Sequence, residues 1–122
     1  MDDIWTYTVT RTGPATEIAL SGELDFSGRE ALAELFLTEV NRPGTTAVCI
    51  DMSSVSFLGS AGVQALLIGY RATEALGHRL TVTGLTGAPL RVLQLTGVLA
   101  LLNDAPVAHD APASGSTDAE AS

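Results

Sequence analysis

The sequence predicts the α/β class, with a mainly parallel four-stranded sheet, an antiparallel N-terminal hairpin strand and helices packed on it. Three observations carry that reading. Strand-like and helix-like stretches alternate along Met1 to Leu102. Ala47-Val48-Cys49-Ile50 is apolar at every position, as in a parallel strand covered on both faces. The chain of 122 residues, 46% of them hydrophobic, is long enough for one core and too short for two.

Ile4 to Thr10 alternates apolar residues with threonine, and a second such run, Thr16 to Leu20, follows Gly13-Pro14. The two are expected to pair as an antiparallel hairpin. Ser27 is placed to cap a first helix, whose apolar positions Leu32, Leu35, Phe36 and Val40 recur at helical spacing until Pro43-Gly44 stops it. After the apolar strand, Ser60 is placed to cap a second helix reaching about Leu76, with Gly77 at its end. Arg79 to Thr83 reads as the last strand and Pro89 as the start of a third helix. Strand, helix, strand, helix, strand in that order implies right-handed crossovers and parallel pairing. The folded domain is expected to span residues 1–102. The remainder, 103–122, is mostly Ala, Pro, Ser, Gly, Thr and acids, with Val107 its one large apolar residue, and is expected to be a disordered acidic tail.

On the second helix the apolar residues fall into two stripes at 100° per residue. Val63, Leu66, Leu67 and Tyr70 form one; Ala61, Ala65, Ile68, Ala72 and Leu76, with Gly69 at the edge, form the other; Gln64 and Arg71 lie on a boundary. The larger residues are expected on the sheet. The small ones fit either a neighbouring helix of the same domain or the close approach of a partner.

Charge limits the partners. No lysine is present, and six arginines face 14 acids for a formal charge of −8. Asp104, Asp110, Asp118 and Glu120 lie beyond Leu102, which leaves ten acids and a charge of −4 for the rest. Such a field repels phosphate backbones and anionic lipid surfaces, so neither nucleic acid nor membrane is an expected partner. The apolar stretches fall far short of the ~20 residues of a membrane span, and Met1-Asp2-Asp3 is unlike a signal peptide. A cytoplasmic protein is expected. Cys49 stands alone, which rules out an intramolecular disulfide and reads as a buried, inert thiol. His78 and His109 are the only histidines, so a zinc site of His/Cys type cannot be assembled; no metal or other cofactor is expected.

Three segments resemble one family. Gly22-Glu23-Leu24-Asp25 follows the second strand; Ile50-Asp51 leads through Val55-Ser56-Phe57-Leu58 to Gly59-Ser60-Ala61-Gly62; and Leu93-Gln94-Leu95-Thr96-Gly97 precedes the last apolar run. In order and spacing they resemble the anti-sigma-factor antagonists, a family of STAS domains, over nearly all of Met1 to Leu102. The resemblance implies a protein-binding module rather than an enzyme. It implies a partner of the GHKL type that is both anti-sigma factor and serine kinase, phosphorylation at the serine that Ser60 matches, release of a sigma factor by the unphosphorylated form, and resetting by a PP2C-type phosphatase. Partner contacts are expected at Glu23, Asp25, Gly59, Ser60, Ala61, Gly62, Gln64 and Ala65. Gly59 stands where the family usually has Asp, which removes a carboxylate beside the acceptor.

Other readings of these residues stay open. Ser60 is suited to an N-cap as well as to phosphorylation. Glu23 and Asp25 fit an acidic contact patch, or Asp25 a helix cap and Glu23 a solvated side chain. Asp51, at the expected end of its strand, reads as a loop-capping residue. A scaffold that recognises a partner without phosphorylation is the alternative function. Gly59-Ser60-Ala61-Gly62 before a helix is the one foothold for a hydrolase, but a nucleophile elbow needs glycine where Leu58 stands and a sharp turn after a strand expected to end near Met52.

Overall fold

Threonine alternating with Trp5, Tyr7 and Val9 makes the first strand in the computed structural model, which describes residues 5–25 and 29–103. The elements run β1 (Trp5–Thr12), β2 (Ala15–Leu24), α1 (Arg29–Val40), β3 (Ala47–Leu58), α2 (Ser60–Ala75), β4 (Arg79–Thr83), α3 (Gly87–Thr96) and α4 (Val98–Asn103). The sheet order is β1-β2-β3-β4. β1 pairs antiparallel with β2 through a turn at Gly13, whose φ is 61°, and the other two pairings are parallel. The predicted class and hairpin are therefore the observed ones. Ile4, Ser27 and the expected tail from 104 onward lie outside the described residues; Asn103, assigned to that tail, closes α4.

One core lies between the sheet and the helices. Ile18, Leu20, Val48, Ile50, Met52 and Leu80 on the strands meet Leu32, Phe36 and Val40 of α1, Val63, Leu66 and Tyr70 of α2, Leu93 of α3, and Val98 and Leu102 of α4. The other sheet face is not covered as the apolar run in β3 predicted. Glu17, Thr8, Thr10, Thr81 and Thr83 are exposed there, and Ala19, Asp51 and Cys49 are partly so. Cys49 is thus not a buried thiol; its Sγ lies 3.8 Å from the Thr83 hydroxyl on the open face. The error came from composition: Ala47 and Cys49 are small enough to sit on either side of a sheet, and only Val48 and Ile50 point to the core.

β3 is also longer than its apolar run. Its pairing with β2 shifts twice, between Ala19 and Ser21 and again between Gly22 and Glu23, so β3 holds two residues more than the strand beside it. Each bulge re-aims the side chains that follow. Buried positions, two apart at Val48, Ile50 and Met52, become three apart at Met52, Val55 and Leu58. That period reads as no strand at all, which is why the sequence placed the end near Met52. At the first bulge the Asp51 carboxylate accepts the Ser53 backbone N–H at 2.9 Å, a contact that holds its pKa below the ordinary carboxylate value. Asp51 caps a backbone donor as expected, but inside the strand. Gly84, at φ 73°, lies against this bulge so closely that a β-carbon would meet the Ser53 nitrogen at 2.7 Å.

The small stripe of α2 packs internally. Ala61 and Ala65 are 3% and 0% exposed, and a β-carbon on Gly69 would lie 3.2 Å from Cβ of Phe36 on α1, so α1 occupies this side and leaves Ile68 and Leu76 exposed. α3 begins two residues before Pro89, with Thr86 in extended conformation at the cap position. Pro89 then falls in the first turn, where its missing N–H costs no helical bond. Gly97, at φ 79°, ends α3 and lets the last apolar run turn back as α4.

Glu39, in the last turn of α1, is 3% exposed. Burial and the helix dipole both oppose a carboxylate at that place. Arg11 of β1 offsets them through two hydrogen bonds, Nη2 to Oε2 at 2.7 Å and Nε to Oε1 at 3.1 Å, and Arg42 adds one at 3.4 Å. The Arg11 hydrogen bonds, with the charges of Arg11 and Arg42, hold the carboxyl below its ordinary pKa although burial pushes it the other way. A group with a lowered folded-state pKa adds stability above its unfolded value of about 4.3 and loses it as pH falls through the folded value. Glu39→Gln should therefore lower stability by about 1–2 kcal/mol at pH 7 in urea denaturation, a difference that shrinks as pH is taken below about 4.

Candidate functional site

At the carboxyl ends of the two central strands, Leu24 pairs with Leu58 and the Gly59 N–H donates to the Leu24 carbonyl at 2.9 Å. Gly59 is the only residue between β3 and α2. It takes the N-cap position in an extended conformation, φ −90° and ψ 178°, and its carbonyl accepts the Val63 N–H at 3.1 Å. Ser60 is consequently the first helical residue and not the cap, and no side chain caps α2. The extra length of β3 is the reason, because it moves the cap position onto a residue without a side chain. The Ser60 side chain is left exposed, beside the unsatisfied N–H groups that begin a helix.

The two glycines of this turn serve different ends. Gly59 has an ordinary negative φ, and a β-carbon there would lie 3.2 Å from the edge of the Phe57 ring. Gly62 is buried, and a β-carbon on it would lie 2.5 Å from Cδ1 of Leu58, 3.1 Å from Cβ of Leu24 and 3.2 Å from the Leu24 carbonyl oxygen. Its missing side chain is what allows α2 to rest on the ends of β2 and β3.

The remaining expected contact residues divide by exposure. Glu23 is exposed, and Gln64 is exposed one helical turn beyond Ser60. Asp25 is partly exposed just after β2. Ala61, Gly62 and Ala65 are buried, Gly62 against Leu24 and Leu58, and present almost no surface. Glu23 belongs to β2 itself rather than to the loop after it, since β2 continues alongside the lengthened β3. Two residues of this edge were missed. Phe57, opposite Glu23, is 47% exposed, turned outward by the second bulge. Arg29, the first residue of α1, donates from Nη1 to Oε1 of Gln64 at 3.2 Å. A large aromatic ring among the serines at 53, 54, 56 and 60, and an arginine four residues after Asp25, were the available signals.

A single residue between β3 and Ser60 also makes the strand-to-helix turn as sharp as a nucleophile elbow, contrary to the spacing expected from the sequence. Leu58 still stands where an elbow has glycine. His78 lies past the other end of α2, a helix of 16 residues and about 24 Å, where it lines a cavity of 440 Å³ with Tyr70, Thr73, Glu74 and Arg79. It is no base for Ser60. No helix among the described residues is long and apolar enough to cross a membrane.

The family model described as "Mlab, STAS domain" matches residues 7–103. The chain belongs to the STAS family. Among solved structures, an anti-sigma factor antagonist from Mycobacterium paratuberculosis is 28% identical to this STAS domain, with a TM-score of 0.71 over 80% of this chain and 81% of that one. The phosphorylated form of the Bacillus cell fate determinant SpoIIAA is 26% identical, with a TM-score of 0.60 over 78% and 86%. The unphosphorylated form of SpoIIAA, 24% identical with a TM-score of 0.62 over 74% and 83%, shares the fold. No curated protein matches the chain. The mixed four-stranded sheet of this STAS domain is the family's fold, and the domain is similar to anti-sigma-factor antagonists.

The contrast between the glycines is testable. Gly62→Ala should destabilise the domain by about 1–3 kcal/mol, because the Leu24 backbone cannot retreat. Gly59→Ala should change stability by less than about 1 kcal/mol, because the Phe57 ring is at the surface and the backbone conformation suits any residue. Urea midpoints of the two variants against the parent measure both.

Proposed function

We propose that this STAS domain is an anti-sigma-factor antagonist that works by binding and not by catalysis. It engages a GHKL-type protein that is both anti-sigma factor and serine kinase, and so frees a sigma factor. Phosphorylation of Ser60 ends the interaction and a PP2C-type phosphatase restores it, all in the cytoplasm. The observation that carries the reading is the exposed Ser60 at the first position of α2, on an edge that also exposes Glu23, Phe57 and Gln64 while everything beneath is packed. The likeness to an anti-sigma factor antagonist at 28% identity supports it.

In the transfer, Ser60 Oγ forms a bond to the γ-phosphorus of ATP as the bond to the β-phosphate oxygen breaks. ADP leaves, and the hydroxyl proton passes to a base of the kinase. The product adds roughly −1.5 to −2 charges beside free N–H groups at the positive end of α2. The fold therefore tolerates it. A partner surface that buried Ser60 would have to bury those charges too, which is costly without a matching cation. Binding is lost while the domain persists.

Glu23, Asp25, Gly59, Ser60 and Gln64 form the contact surface in this proposal, with the backbone of Ala61 and Gly62 beneath it and Phe57 beside it. Gly59 favours one second reading. With no carboxylate beside the acceptor to position it or to help organise the kinase's metal, the domain would be a partner-binding scaffold that is never phosphorylated. The φ of −90° admits an Asp there, so Gly59→Asp separates the two readings.

Incubation of the full chain with ATP and candidate GHKL-type kinases, read by intact mass, should add one phosphate to the parent and none to Ser60→Ala. Stable co-elution with a kinase without phosphate on the parent, and with phosphate on Gly59→Asp, would instead establish the scaffold reading. Ser60→Asp should weaken kinase binding at least tenfold by calorimetry with the same circular dichroism spectrum as the parent; unchanged affinity would remove Ser60 from the interface.

A further inference from the structure

We infer that Arg29 is the cation that receives the phosphate on Ser60, so that phosphorylation joins the start of α1 to the start of α2. The inference rests on Ser60 as the modified residue and assigns what that modification does within the chain. Its basis is the hydrogen bond from Arg29 Nη1 to Gln64 Oε1, 3.2 Å long, which holds the guanidinium against α2. Gln64 is four residues after Ser60, and both are exposed. Residues four apart lie one above the other on a helix, about 5–6 Å between β-carbons, and side chains lean toward the helix N-terminus. The Gln64 amide therefore extends toward Ser60 and carries the guanidinium with it.

The acceptor that Arg29 now has on Gln64 is a neutral amide oxygen. A phosphoserine one turn away offers three oxygens and nearly two negative charges in the geometry that a guanidinium fork matches twice over. Exchange of Gln64 for phosphate would move the guanidinium by about one turn along α2. Of the other arginines, Arg11 and Arg42 bind Glu39, and Arg71 is three turns farther along α2. Phosphorylation would then change the edge twice, adding a charge at Ser60 and withdrawing the Arg29–Gln64 pair from the surface offered to a partner.

The test uses the full chain with phosphoserine installed at position 60 during synthesis by an expanded genetic code, so that its outcome does not depend on whether any kinase modifies Ser60. The phosphorus-31 resonance is followed against pH in the parent, in Arg29→Met and in Gln64→Leu. The second ionisation of the phosphate should have its midpoint about half a pH unit lower in the parent than in Arg29→Met, while Gln64→Leu, which keeps the cation, should stay as low as the parent. The Arg29 Nε–H resonance of the parent should titrate with the same midpoint as the phosphorus. Equal phosphate midpoints in parent and Arg29→Met, or an Arg29 resonance indifferent to the phosphate in the parent, would overturn the inference. The second readout needs no substitution, so it decides the matter even where Arg29→Met alters the fold.

Discussion

Two residues of β3 have no counterpart on β2, and much of the domain's upper edge depends on them. Without the bulges, strict alternation from Ile50 and Met52 would send position 55 outward and bring the serines at 54 and 56 inward. With them, Val55 joins Met52 and Leu58 in the core, and Ser54 and Ser56 stay exposed. The same two residues lengthen the strand until it meets α2, which places Gly59 at the cap and Ser60 on the surface. The polar side chains that accompany the bulges are their supports: Asp51 answers the Ser53 N–H, and the Ser56 hydroxyl donates to the Gly22 carbonyl at 3.3 Å across the second one.

What was legible in the sequence followed from period and punctuation. Ile18, Leu20, Leu32, Phe36 and Leu66 announce their burial by spacing alone, and Gly77 and Gly13 mark the ends they occupy. The fourth strand was readable at its observed limits, Arg79 and Thr83. What was not legible is non-local. A bulge depends on the neighbouring strand, so Ser53-Ser54 and Ser56 read as a loop. A cap depends on where the preceding strand ends, so Ser60 read as the N-cap. The small stripe of α2 left two readings open because nothing in Ala61, Ala65 or Gly69 says which surface lies against them; Phe36, thirty-three residues before the Gly69 it packs on, does.

The candidate site is a different case. Its position came from resemblance, and its exposure came only from packing. Ala61, Gly62 and Ala65 share a motif with Ser60, and motif membership by itself does not separate the residues that face outward from those that hold them there. Arg29 and Glu39 show the same limit for charge. Counting gives a net −4 for the folded part, yet that number conceals a carboxylate buried between two arginines at one end of α1 and an arginine reaching to α2 at the other.

The single-residue connection between β3 and α2 has a consequence for how the proposed switch would be read. A long hinge would let a chemical change at its tip be stored as a new backbone shape, to be recognised by its outline. Here Gly59 is bonded to Leu24 and Gly62 is seated on Leu24 and Leu58, so the edge has no slack in which a second shape could be held. Under the function proposed for it, a change at Ser60 would be confined to the side chains around it, and a receiver would have to read it by touch, from charge and hydrogen bonding at close range.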